Sequence, residues 1–405
     1  MRFLARRFIA LLCVIALMSP ARAAEPSRDE QIVRIEKAIA AGAAFLVKQQ
    51  DTDGTWRSKT YGLLKDGTSL TPLVLSSLPK TAECEVANDR GRIAVAGWVE
   101  FEETSARIKT TPQYPIYTAG LVLPVLSAGA DRKFANEAAA WTALIREHQF
   151  SVQNRWSAGN SLFGGWGYSH NAPRRPEGNT PLSPLDEPNL SATVFALEGL
   201  LATDPEGRSS RIARWMALFF VRRCQNFRET AADGDAMFND GGFHFMLGDE
   251  VRNKPGVAGV DSTGQTRFLS YGSTTADGLR ALRLCGLESD HPRVVAARRW
   301  LLDHFADGSH PGNYPPERQH LKPSLDFYYA ASVARAFQRA PVPATEPLGH
   351  ARWAEILTDR LIARQKDDGS WSNPAVDVRE DDPLIATSLA LQALQRSRDE
   401  LRGQR

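Results

Sequence analysis

"FLVKQQDTDGTW", Phe45 to Trp56, returns near the other end of the chain as "LIARQKDDGSW", Leu361 to Trp371. Both copies read as the end of a helix followed by Gln, three residues, Gly, one residue and Trp. Before the first copy, Ile32, Ile35, Ile39, Ala43 and Leu46 recur at a three-to-four spacing with Arg34, Glu36 and Lys37 between them. That is the pattern of a one-faced helix. After Trp56 comes a polar link and then "SLTPLVLSSL", where Thr71 is placed to cap a helix and Pro72 to occupy its first position. The second copy repeats the grammar: "ILTDRLIARQ" is amphipathic, "KDDGSW" is a turn, and "DDPLIATSLALQAL" is a helix capped by Asp382. The body of that last helix is apolar on nearly every side, so other helices have to enclose it.

The alternation of charged helix, Gly-aromatic turn and enclosed helix continues through the middle. "WTALIREHQ" leads, after a delay, to "GGWGYSHN" and "NLSATVFALEGLL"; "RWMALFFVRRCQN" leads to "DGGFHF" and "STTADGLRALRL". "RRWLLDHFADGSH" precedes "SLDFYYAASVARAF", with Phe305 where Gln is expected, and "IAVAGWVEFEE" with "IYTAGLVLPVLSAG" forms a degenerate pair. Six helix pairs, none able to bury its inner helix alone, predict stacking into one continuous core. Six pairs suffice to close a ring, and closure would let residues 24–405 form one domain although chains beyond about 250–300 residues usually split. An open solenoid is the alternative.

The start reads as an export signal: Arg2, Arg6 and Arg7, an apolar run from Phe8 to Met18, and Ala21-Arg22-Ala23 for cleavage after Ala23. Residues 1–23 are therefore excluded from the fold, and the mature protein is expected in the periplasm or outside the cell. Without the four arginines of that segment, 45 basic residues face 47 acidic ones, a net of −2, which leaves no electrostatic case for nucleic acid. No later run approaches the roughly 20 apolar residues of a spanning helix. Cys84, Cys224 and Cys285 lack CxxC spacing and read as small buried hydrophobes, with one disulfide as the alternative.

Ala43-Ala44-Phe45-Leu46, Gln50, Gly54 and Trp56, with Leu361, Gln365, Gly369 and Trp371, resemble the repeat of squalene-hopene cyclases, oxidosqualene cyclases and the β subunits of protein prenyltransferases. "DEPNLSATVFALEGL", "SYGSTTADGLRALRLCG" and "DFYYAASVARAF" resemble secreted bacterial proteins with prenyltransferase and squalene-oxidase-type repeats, so that the likeness covers about residues 30 to 397. The resemblance implies an all-α fold, an (α/α)6 toroid of six helical hairpins with an inner ring wrapped by an outer one. In it, Gln would bond carbonyls freed at the end of an outer helix, Gly would supply the turn, and Trp would cover the joint.

In squalene-type cyclases an Asp-x-Asp-Asp motif supplies the initiating proton, while aromatic faces stabilise the carbocation. No such motif occurs here; "DVREDD" places Asp377, Asp381 and Asp382 at another spacing. Other acids near inner-helix starts are Asp186, Glu187, Asp277 and Asp326. Each of Asp277, Asp326 and Asp382 also has a capping reading: Asp277 lies three after Thr274, Asp326 two after Ser324, and Asp382 precedes Pro383. Asp326 precedes Phe327, Tyr328 and Tyr329, which puts an acid next to aromatic walls and makes it the expected centre of any acid catalysis, with Asp277, Asp381 and Asp382 as further candidates. Trp166, Tyr168, Phe243, Phe245, Tyr271, Tyr314, Phe327 and Tyr328 are the candidate cavity walls, and segments 169–188 and 229–269 are candidate lids.

Asp-x-Cys, the zinc motif of protein prenyltransferases, is missing; His170, His244, His304, His310 and His320 show no ligand spacing, and no metal or cofactor is expected. Phosphate loops, a Gly-x-Ser-x-Gly elbow and a Cys-Gly-Glu-Gln thioester are absent too. Three readings follow: binding or cyclisation of a polyisoprenoid in an aromatic cavity, a non-catalytic toroid that binds a lipid or a protein, and a carbohydrate-active α/α barrel.

Overall fold

A computed structural model describes residues 27–403 apart from 104, 129–131, 179 and 229–237. The export signal and its cleavage site lie outside the described residues. Twelve α-helices form among them, in six outer–inner pairs. These are α1 (Arg28–Lys48) and α2 (Leu70–Leu75), α3 (Ala82–Ala96) and α4 (Pro115–Ser127), and α5 (Ala135–Glu147) and α6 (Leu190–Thr203). Then follow α7 (Arg208–Arg223) and α8 (Gly272–Leu284), α9 (Pro292–His304) and α10 (Asp326–Arg339), and α11 (Arg352–Ile362) and α12 (Pro383–Leu401).

Each even-numbered helix packs on the next, and α12 packs back on α2, so the inner ring closes. The first helix, α1, lies against α11, α12 and α3. The architecture is thus the closed toroid rather than the open solenoid. Inner helices α4 and α6 carry apolar side chains all round because each touches two ring neighbours and an outer helix. α1 starts at a reciprocal cap between Ser27 and Glu30, and Asp382 caps α12 by accepting from the Leu384 N–H at 2.9 Å.

The recurring Gln-Gly-aromatic pattern proves to be one joint built four times. The Gln50 side-chain amide donates to the carbonyl of Gly54 in its own turn and to that of Ala87 on α3, both at 2.9 Å. Gln365 does the same with Gly369 and Ala38 of α1, Gln149 with Gly164 and Ala213 of α7, and Gln225 with Gly241 and Arg293 of α9. In each joint one bond closes the turn and the other ties the end of an outer helix to the next outer helix. The turn glycines have φ between +84° and +97°, and a Cβ on Gly369 would stand 2.4 Å from the Ala41 carbonyl oxygen. Trp56, Trp166 and Trp371, all without exposed surface, donate from the indole to the outer-helix carbonyls of Leu46, Ile145 and Leu361. Their backbone N–H groups donate to Thr71, Thr193 and Thr387 on the inner helices. Phe243 takes the same place before Thr275. Thr71 therefore serves the joint rather than capping α2, which begins one residue earlier, at Leu70.

The expected helix over "IAVAGWVEFEE" is corrected: α3 starts earlier and ends at Ala96, and Val99–Phe101 (β1) pairs antiparallel with Ala106–Ile108 (β2). Gly97 stops the helix there, and the Val-Glu-Phe run that follows has strand propensity. A second hairpin, Val257–Val260 (β3) with Thr266–Phe268 (β4), lies inside the long segment before α8. The three described cysteines are free thiols, with Cys84 and Cys224 buried. No helix of the described residues is long and apolar enough to cross a membrane.

Candidate functional site

A cavity of about 510 Å³ opens at the N-terminal ends of the inner helices, and all six contribute to it. Its lower wall is aliphatic, from Leu64, Leu70 and Leu73 beside α2 and from Ile385 and Leu389 of α12. Five tyrosines stand around the cavity, Tyr114 and Tyr117 at the start of α4, Tyr168 two residues after Trp166, Tyr271 before α8 and Tyr328 on α10, together with polar side chains that include Ser69, Ser191, Ser273, Thr274, Arg379 and Glu380. Tyr114 meets Tyr168 edge-on at 5.9 Å, and Tyr117 meets Phe195 at 4.6 Å. Burial raises the phenol pKa values of Tyr117, Tyr168, Tyr271 and Tyr328, that of Tyr168 to about 12, so these four hydroxyls stay protonated at neutral pH.

Leu185 and the loop from Phe245 to Lys254 complete the mouth, where Leu185 and Val251 are exposed. The loop is folded on its own Asn253, whose side chain bonds the backbone of Phe245, Met246 and Asp249, and Arg318 braces it by donating to the Glu250 and Asn253 carbonyls. The described parts of the two candidate lids therefore do contribute to the rim.

Of the four expected catalytic acids one, Asp277, faces the cavity; Asp377 of the "DVREDD" stretch also lines it, at an exposed position. Asp277 is 2 % exposed and lies at the floor. Its Oδ2 accepts from the Tyr328 hydroxyl at 2.8 Å; its Oδ1 accepts from Arg280 Nη1 at 2.7 Å and from the Ser332 hydroxyl. Burial raises its pKa, against which Arg280 and the two hydroxyls act. Ser191 shares a 3.0 Å hydrogen bond with the Tyr328 hydroxyl. Asp277 does not cap α8, which begins at Gly272; Thr274 donates to the carbonyls of Tyr271 and Phe243 instead. Below the floor, Arg280 pairs with Glu198 at 2.8 Å and Glu198 with Arg335 at 3.1 Å, a charged layer that fills the barrel axis.

Asp326, the expected centre, points the other way. It pairs with Arg360 at 2.6 Å and with Arg364, both on or just past α11, and Phe327 sits under the Arg364 guanidinium at 4.3 Å. Neither lines the cavity. The reason is helical: Tyr328 faces the cavity, and residues two apart on a helix do not share a face. Asp381 accepts from the Tyr61 hydroxyl at 2.6 Å and Asp382 caps α12, both outside the cavity wall. Of the candidate walls, Tyr168, Tyr271, Tyr328 and Phe245 line the cavity; Trp166 and Phe243 belong to the joints, and Tyr314 is buried behind Tyr271 at 6.3 Å.

Several lining residues went unread in the sequence. Tyr114 and Tyr117 precede and enter α4, whose apolar run masks them. Glu380 is 1 % exposed and accepts from the backbone N–H groups of Phe327 and Tyr328 at 3.0 and 2.7 Å, fixing the start of α10. Burial pushes its pKa up to about 7. Arg379, at φ +65°, donates to the Tyr114 hydroxyl and lies over the Tyr61 and Tyr114 rings. Among the described residues no three His, Cys, Asp or Glu side chains gather as a metal set.

No protein-family model matches the chain, and no curated protein does. Solved structures match over nearly its whole length. The type II terpene cyclase MstE from Scytonema, in complex with geranylgeranyl dihydroxybenzoate, superposes with a TM-score of 0.55 at 14% identity, covering 91% of this chain and 99% of that one. An unsaturated glucuronyl hydrolase specific for heparin gives 0.54 at 14% identity, covering 93% and 99%. An alpha-mannanase from Bacteroides thetaiotaomicron gives 0.54 at 11% identity, covering 91% and 98%. These likenesses establish the α/α toroid, which terpene cyclases and carbohydrate-active enzymes share, and leave the chemistry to the site.

Proposed function

We propose that the cavity holds a polyisoprenoid chain and does not protonate it. The observation that supports this reading is the lining itself: five tyrosines and a floor of leucine and isoleucine enclose a space of about 510 Å³ around a single buried aspartate. Such a predominantly apolar wall suits a methyl-branched hydrocarbon, whose double bonds lie well against aromatic faces. A cyclase acid has to carry a proton toward an alkene. Burial raises the Asp277 pKa, but the group accepts three hydrogen bonds, one of them from a guanidinium at 2.7 Å, and these contacts favour the ionised form over a proton donor. Of the two other carboxyls at the wall, Glu380 is taken up by the α10 backbone, which weighs against its serving with Asp277 as a glycosidase pair, and Asp377 is exposed. The basic, apolar, Ala-x-Ala start supports placing this activity after export.

The test is titration of the mature protein with a fluorescent farnesol or geranylgeraniol analogue, beside incubation with squalene and product analysis. Saturable binding without new products is expected. Tyr168→Ala should weaken binding roughly tenfold and Tyr168→Phe should keep it, since the ring and not the hydroxyl carries the contact. Turnover of squalene that Asp277→Asn abolishes would replace this reading by cyclisation, and binding of glycans in preference to prenols would replace it by the carbohydrate reading.

A further inference from the structure

The opposite end of the barrel carries a charge imbalance that nothing in the cavity explains. Four guanidiniums converge there from three neighbouring inner helices: Arg280 of α8, Arg335 and Arg339 of α10, and Arg396 of α12. Two carboxylates answer them. Asp277 pairs with Arg280, and Glu198 of α6 is shared by Arg280 at 2.8 Å, Arg335 at 3.1 Å and Arg339 at 3.8 Å. Arg396 makes no ion pair among the described residues; its Nη1 donates to the Gln338 side chain at 2.9 Å. The Nε atoms of Arg335 and Arg396 are buried with no hydrogen-bond partner among the described residues. A fifth arginine, Arg283, has its own carboxylate in Glu288 at 3.5 Å and donates to the backbone carbonyls of Arg339 and Leu287, so it is not part of the excess.

We propose that Arg335, Arg339 and Arg396 form a binding site for a small oxyanion of the phosphate class at the C-terminal end of the barrel. Two positive charges remain after the two carboxylates are counted, which is the charge of a phosphate dianion. Access follows the exposure gradient: the side chains are 44% exposed at Arg339, 11% at Arg335 and 2% at Arg280, so an anion entering past Arg339 meets successively drier guanidiniums. Guanidinium forks match the tetrahedral oxygens of phosphate, and the unpartnered Nε–H groups are donors that such an anion would satisfy. Burial, and then the neighbouring Arg335, push the Arg396 pKa down to about 9, against which Glu198 acts.

The experiment uses the whole mature chain and measures binding of inorganic phosphate by calorimetry, and the Tm with phosphate or chloride at equal ionic strength. A second arm uses glycerol 3-phosphate: binding of both anions marks a site that admits a phosphomonoester headgroup, and binding of phosphate alone a site for the free ion. Arg396→Gln is expected to weaken phosphate at least tenfold while leaving the Tm in chloride unchanged or higher, because one repelling charge is gone. Arg339→Gln, at a more exposed position, should weaken it as well and serves if the first variant does not fold. Phosphate acting no differently from chloride would overturn the site, as would wild-type affinity in both variants, or an Arg396→Gln protein whose Tm in chloride falls by as much as phosphate raises that of the wild type.

Discussion

At the scale of single residues, buried ionisable groups set the expected pH behaviour. His310 accepts from the Ser273 N–H through Nε2 at 3.1 Å and donates from Nδ1 to the Lys322 carbonyl at 2.9 Å, which fixes a neutral imidazole at the start of α8. Burial lowers its pKa to about 4. In the unfolded chain it titrates near ~6.5. The unfolded state therefore binds more protons between those values, so this contribution is complete above about 6.5 and is lost as the pH falls to about 4, by on the order of 3 kcal/mol. Urea unfolding at pH 7 and pH 4.5 should show a smaller loss for His310→Asn than for wild type; equal losses would contradict the assignment. Asp277→Asn should cost about 3–5 kcal/mol in the same assay, since it leaves Arg280 short of a buried counter-charge. Asp277 was legible as a candidate from its helix-start position, but its rank below Asp326 was not. Which acid faces inward depends on the rotation of α10, and Tyr328 alone, read with helical periodicity, would have turned Asp326 outward.

At the scale of elements, the joints decide how well neighbouring hairpins hold. Replacing Gln365 by Ala leaves the carbonyls of Ala38 and Gly369 without their donor, an expected loss of about 1–3 kcal/mol. Gly369→Ala should cost more than Gln365→Ala, because it adds a left-handed φ to a collision with the α1 backbone; chemical denaturation that ranked them in reverse would argue against this joint geometry. Two of the four joints were plain in the sequence because only three residues part Gln from Gly. The other two are interrupted, with fourteen residues between Gln149 and Gly164 and fifteen between Gln225 and Gly241; there the order of charged helix, delayed Gly-aromatic turn and enclosed helix was legible, but not that the distant Gln bonds that Gly. Glu380 was hidden for a related reason: it fixes the start of α10 from more than fifty residues downstream, a relation written in the ring and not in either segment.

At the scale of the whole molecule, the two ends of the described residues meet. The Arg28 guanidinium lies 3.5 Å from the Glu400 carbonyl oxygen, and Arg402 pairs with Glu36. A circular permutant that joins Gly403 to Ser27 through a short linker and opens at the Pro205–Gly207 turn between α6 and α7 should keep its secondary structure and cooperative unfolding, because every hairpin retains both neighbours. Loss of a cooperative transition would mean that the order of the hairpins along the chain matters beyond their places in the ring. That closure also has a cost in time. A ribosome delivers α1 first, yet α11 and α12, which cover it, are made last, so the seam cannot form until almost the whole chain has emerged. Until then the first inner helices have one lateral face uncovered, and folding of this protein should be slow, limited by one long-range docking event and sensitive to whatever shields apolar surface on nascent chains.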